Sequence, residues 1–116
     1  MKPQSQSLVL LAGLILLIFI ASKPSQQTFD KISVREFELL DKNGVQRASI
    51  KTEDDGEVVL RLKDRTGTIR LKLGANEDGS GLLLLDSNTE PGIHALSKEN
   101  GSTLTIIGKD KKKKEF

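Results

Sequence analysis

The sequence predicts a mainly β protein, with an N-terminal single transmembrane helix followed by an antiparallel β-meander of about seven strands built from ~23-residue repeats. Three observations predict it. An apolar run at the N-terminus differs in composition from everything after it. Stretches such as "VVLRLK" and "TIRLKL" alternate in polarity residue by residue. Asp41, Gly44, Arg47, Ile50 and Gly56 recur, with their spacing unchanged, as Asp64, Gly67, Arg70, Leu73 and Gly79.

The apolar run is "SLVLLAGLILLIFIA", Ser7 to Ala21, and no charged residue falls between Lys2 and Lys23. At ~1.5 Å per residue a helix over this stretch approaches the ~30 Å of a bilayer's hydrocarbon layer. A helix also satisfies every backbone group within itself, which lipid requires. The basic start and apolar centre suit a cleaved signal peptide as well. Against cleavage, Phe19 and Ile20 precede Ala21 and Ser22, so no small-x-small site forms. Residues 1–22 are therefore expected to be an uncleaved anchor that meets membrane lipid through residues 7–22, with a cleaved signal and a buried soluble helix as the other readings. Lys2 on one side and Lys23 and Lys31 on the other nearly cancel the positive-inside signal. The short leading tail favours a cytoplasmic N-terminus and an extracytoplasmic β domain, while the C-terminal lysines argue for the opposite side. Residues 23–31 form a short polar linker, too short for a stalk.

The repeat carries the rest of the fold. Leu60 and Leu62 face one way with Arg61 and Lys63 opposite, and Ile69, Leu71 and Leu73 alternate with Arg70 and Lys72. Period two of this kind is the mark of a half-buried strand. Asp-x-x-Gly suits a tight turn in which Asp accepts from the turn backbone and Gly takes a positive φ. Asp55-Gly56, Asp78-Gly79 and Asn100-Gly101 are hairpin-loop dipeptides. A third copy is looser: Asp86 takes the place of Asp64 at a slightly shorter spacing, but its turn reads "DSNTEPG", which displaces the glycine to Gly92. A stub of a fourth, "LTIIGKD", dissolves into lysines. Strands are expected near residues 32–40, 45–51, 57–63, 68–73, 81–86, 92–97 and 103–108, giving a β domain over 32–108 and a basic tail over 109–116.

Such a meander has one apolar and one charged face, and no amphipathic helix is available to cover the apolar one. The sheet must curl, fold on itself or meet another chain. "GLLLLD", Gly81 to Asp86, implies local burial on both faces.

The pattern F-x-L-x-D-x-x-G-x-x-R-A-x-I followed by an acidic Asp-Gly, here "FELLDKNGVQRASI" and then "EDDGE", resembles a group of bacterial membrane-anchored β-repeat proteins with no assigned activity. The resemblance covers about residues 34–85. It implies a bacterial origin and a β-repeat ectodomain, and it transfers no active residue.

Little else carries chemistry. There is no cysteine, so neither a disulfide framework nor a thiolate zinc site is possible, and the aromatics are four Phe without Trp or Tyr. His94 is the only histidine; a lone His reads as an ordinary strand or turn residue. The acidic turns "TEDDGE" and "NEDGSG" invite calcium but lack EF-hand spacing, so turn chemistry accounts for them. Asn100-Gly101-Ser102 matches a glycosylation sequon and reads as a turn. "KDKKKKEF", from Lys109, holds five Lys against Asp110 and Glu115; it could contact anionic lipid, nucleic acid or an acidic partner, and the plainer reading is a solvated tail that blunts the last strand's edge. The body between anchor and tail is net negative and has no aromatic stacking platform, which argues against nucleic acid.

No catalytic, cofactor-binding or metal-ligating set is expected. The function expected is that of a non-catalytic structural or accessory membrane protein, whose partners are other subunits of a membrane complex or further copies of itself. The alternative is a small ligand- or surface-binding ectodomain.

Overall fold

The computed structural model describes residues 3–21 and 26–116, with side chains placed for 4–16 and 26–116. Two units result, residues 1–32 and 33–116.

The first contains α1, Pro3–Ala21. Among the described side chains, those of Leu8, Val9, Leu10, Leu11, Leu14, Ile15 and Leu16 are exposed and lie on every side of the helix. Among the described residues no helix is long and apolar enough to cross a membrane. Lys2, Lys23 and the start of the expected linker lie outside the described residues, as do the side chains of Phe19 and Ile20.

The second unit is one antiparallel sheet of eight strands in the order β1-β2-β3-β4-β5-β6-β7-β8, each strand paired only with its neighbours in sequence. The strands are β1 Glu36–Leu40, β2 Gln46–Thr52, β3 Val58–Lys63, β4 Ile69–Asn76, β5 Gly79–Leu85, β6 Pro91–Lys98, β7 Gly101–Ile107 and β8 Lys113–Glu115. The meander and the repeat are as the sequence indicates, and each repeat is one hairpin. The strand count is eight and not seven, because the tail does not stay free. Gly108 N–H donates to the Lys112 carbonyl at 3.0 Å, Asp110 Oδ1 accepts from Lys112 N–H at 3.1 Å, and the chain turns back along β7. Leu104 and Phe116 then exchange backbone bonds of 3.1 and 2.9 Å, which carries the pairing to the last residue. Residues 32–35, expected in the first strand, precede it.

The turns explain why the chain reverses where it does. Asp41 N–H donates to the Val45 carbonyl at 2.9 Å, Gly44 N–H donates back to the Asp41 carbonyl at 2.9 Å, and Asp41 Oδ1 accepts from Asn43 and Val45 N–H at 2.8 and 3.1 Å. Asp64 repeats the arrangement with Thr66, Gly67 and Thr68. One carboxylate oxygen thus satisfies two turn donors, and Gly44 and Gly67 sit at φ +78° and +84°, where a Cβ is disfavoured. The third copy departs from expectation. Asp86 keeps its role, accepting from Asn88 and Glu90 N–H at 2.8 and 3.0 Å, but Thr89, and not the displaced Gly92, takes the positive φ of 62°.

Each of these hairpins also carries a bulge. Leu39 pairs with Ala48 and Leu40 with Gln46, Leu62 with Leu71 and Lys63 with Ile69, Leu84 with Ile93 and Leu85 with Pro91. One residue is left unpaired in each case: Arg47, Arg70 and Gly92.

The sheet does not close or fold on itself, so the core is slight. Among the described residues the buried ones are Ala48, Ser49 and Val59, together with Gly74. The expected double burial of "GLLLL" is not met. Leu82 to Leu85 are all half-buried, because each face of β5 is lined only by its neighbours within a single layer.

Candidate functional site: an uncovered apolar face

The pairing register sorts the side chains into rows. One row crosses all eight strands as Phe37, Ile50, Leu60, Leu73, Leu82, Ala95, Leu104 and Phe116. The row beside it runs Leu39, Ala48, Leu62, Leu71, Leu84, Ile93, Ile106 and Lys114. Residues two apart on a strand share a face, so these rows form one surface. A third row, Thr52, Val58, Ala75, Ser80, Ser97 and Ser102, borders it with hydroxyls and small side chains. Across the three rows Lys114 is the one charge.

This face is open. Phe37, Leu39, Ile50, Leu62 and Leu73 are each 41–53 % exposed, and Phe116 is 72 % exposed. Monomeric soluble proteins rarely expose a contiguous apolar patch of more than a few hundred Å².

The opposite face is built otherwise. Lys51 and Arg61 both reach Glu53, at 3.4 and 2.5 Å, and Lys72 pairs with Glu57 at 3.6 Å. Glu38, Gln46 and Lys63 form a further hydrogen-bonded chain. The bond from Arg61 holds the Glu53 carboxyl below its ordinary range. The long charged side chains close over Val59, which explains why a valine on this face is fully buried. Where Gly74 pairs with Gly81 no side chain rises, leaving a hollow of ≈ 230 Å³ flanked by Lys72, His94 and Lys98. The Glu57 carboxylate leans into it, since a Cβ on Gly74 would run into that group. His94 is half-buried here, between Leu83 and Thr105 in the register.

At one end of the sheet the bulged arginines link successive hairpins. Arg70 donates from Nε and Nη2 to Asp64 Oδ2, at 2.9 and 2.6 Å, and from Nη1 to the Asp86 carbonyl of the next hairpin. Arg47 does the same less tightly, 3.6 Å from Asp41 and 3.1 Å from the Lys63 carbonyl. The recurrence of Asp-x-x-Gly-x-x-Arg was visible in the sequence; that the arginine reaches across hairpins was not. Asp64 is held well below the usual carboxylate range, first by the Thr66 hydroxyl and then by the Thr66 backbone, Arg70 and Thr68. Asp41 and Asp86 are lowered mainly by their turn N–H donors.

The acidic loops are engaged in the same turn chemistry, Asp55 Oδ1 accepting from Glu57 N–H at 3.0 Å and Asn76 Oδ1 from Asp78 N–H at 3.0 Å. Among the described residues no group of three or more His, Asp or Glu is placed to hold a metal ion. No protein-family model and no curated protein matches the chain.

Proposed function

We propose that the protein is a non-catalytic structural or accessory membrane protein of the bacterial membrane-anchored β-repeat kind. Residues 7–22 would hold it in the bilayer with the N-terminus cytoplasmic, and the sheet would pack through its apolar face on another protein, either a subunit of a larger membrane complex or a further copy. One observation carries this reading: one row of apolar side chains crosses all eight strands, a second crosses seven before Lys114, and nothing within the sheet unit covers them. The apolar run Ser7 to Ala21, within a stretch that carries no charge between Lys2 and Lys23, supports the anchor. Asp41 and Asp64 are engaged in turns and Glu53 in an ion pair on the charged face. The test is extraction of the full-length chain from its own membrane in mild detergent, followed by sizing and mass spectrometry of whatever co-elutes. A stoichiometric companion or a homo-oligomer is expected. A chain that leaves the membrane in a salt wash, or that elutes alone as a monomer, would overturn the reading.

A further inference from the structure

The open face suits one occupant best. We propose that it is covered by the same face of a second copy, so that two chains form a two-layer β-sandwich; this rests on the packing role argued above and names its partner.

The first support is the lack of a second layer. A sheet with one apolar face is a stable architecture when another layer is packed against it, and here, among the described residues, the buried apolar side chains are Ala48 and Val59. The second is size. Eight strands about 4.8 Å apart and three rows about 6.8 Å apart give on the order of 700 Å² per copy, or about 1,400 Å² over two, which is the range of a stable specific interface. The third is composition: a face with a single charge can meet itself without burying like charges at its centre.

Charge also selects the orientation. With the two-fold axis along the strands, β1 of each copy lies over β8 of the other. Glu36, Glu38, Lys113 and Glu115 alternate onto the charged face, away from the partner, so Lys114 is the charge that bears on the pairing. Lys114 sits at the rim over the partner's β1, well away from the second Lys114. Both copies of β1 also begin at the same end of the sandwich, as two chains anchored in one membrane require. The closed symmetry limits assembly to a pair.

The other occupants fit less well. A lipid surface is met by Trp, Tyr and flanking Lys or Arg, whereas the chain has no Trp or Tyr and this face one Lys. End-to-end growth of the sheet would use β8, whose three residues Lys113–Glu115 are the short, lysine-bearing kind of edge that resists addition.

Because the chain has no native cysteine, single cysteines can report the contact in the intact protein. Leu73→Cys and Leu82→Cys would mark the centre of the apolar face, and Lys72→Cys and Thr105→Cys the charged face. The full-length chain, kept in its own membrane, would be treated with a bismaleimide of ~10 Å span, the spacing of stacked sheets. A dimer-sized adduct is expected from Leu73→Cys and Leu82→Cys and none from Lys72→Cys or Thr105→Cys. Adding Leu73→Lys to Leu82→Cys should abolish the adduct while Leu73→Met preserves it, and the Met variant separates a lost contact from a lost fold. An adduct to a different protein would overturn the dimer but leave the accessory role standing. Protection from alkylation without any protein adduct would assign the face to lipid and overturn the dimer. Alkylation as fast as on the charged face would mean that nothing covers it, and the packing role would fall too.

Discussion

In the hairpins β1–β2 and β3–β4 an aspartate closes the turn, a glycine takes the positive φ, and a bulged arginine runs from that aspartate to a carbonyl of the hairpin that follows. In β5–β6 the backbone follows the same path with other residues, and β7–β8 makes the same turn without the bulge. Thr89 and Lys111 take φ of 62° and 60°, Gly92 stands where the arginine would be, and Gly108 stands where the aspartate would be. The difference shows which parts of the repeat are geometry and which are reinforcement. The pairing register demands a turn of this shape once in every repeat, and the chain makes it even where the residues are poor for it. The arginine ties and the glycine relieve cost without being needed for the path. The second half of the sheet should therefore be held less firmly than the first.

Acid is the broadest way to test this, because it acts on every tied carboxylate together. Asp41, Asp64, Asp86 and Glu53 all have folded-state pKa values below their ordinary ones. A carboxyl of that kind adds stability above its unfolded pKa of about 4, and that contribution is lost as pH falls through the lower folded value. The melting temperature of the full-length chain should be flat from pH 7 to about 5 and fall steeply below about 4. A melting curve unchanged down to pH 2 would mean the turn bonds contribute nothing in solution.

Next in size is Asp64→Ala against Asp86→Ala. The first loses two turn donors, the Thr66 hydroxyl and both bonds from Arg70; the second loses two turn donors only. Thermal melting should drop more for Asp64→Ala. Equal losses would show that the arginine tie is ornamental.

These differences also mark what the sequence made legible. The alternation in "VVLRLK" and "TIRLKL" gave the strands and their two faces, since a period of two has one structural meaning. The turn aspartates were legible for the same reason, their bonds being local. What stayed hidden was non-local or against type. Lys113–Glu115 lacks any apolar alternation, and it forms a strand because Gly108 to Lys112 turns and β7 offers an unpaired edge. Thr89 carries no such signal, because a β-branched residue at positive φ runs against its own preference and the nearby Gly92 is the more natural candidate. The apolar face was foreseen as a face. Its rows could be drawn only once the register, bulges included, fixed which residue stands beside which.

Gly67→Ala comes third. A Cβ at φ +84° meets no neighbouring atom within 4 Å, so backbone strain alone should act, about 1–2 kcal/mol of destabilisation in a chemical denaturation curve. A neutral result would imply that the turn relaxes, and that the glycine is not what separates the two halves.

The reverse substitution, Thr89→Gly, should stabilise, and it is the smallest effect because two terms oppose each other. Relief of the positive φ is worth about 1–2 kcal/mol for a residue with a Cβ, and more for a β-branched one. Glycine gives back roughly 0.5–1 kcal/mol through the freedom of the unfolded chain. Thr89 also donates from its hydroxyl to the Asn88 carbonyl at 2.6 Å, an exposed bond whose loss to water costs little. The net should be a gain of about 0.5 kcal/mol in denaturant unfolding of the full-length chain. Thr89→Ala is the control, since it removes the branch and keeps the Cβ. It should gain less than glycine, because the clash that makes a left-handed backbone costly lies with the Cβ itself. If alanine gains as much, the penalty at Thr89 belongs to its side-chain branch, and the two halves of the sheet would differ in their arginine ties alone.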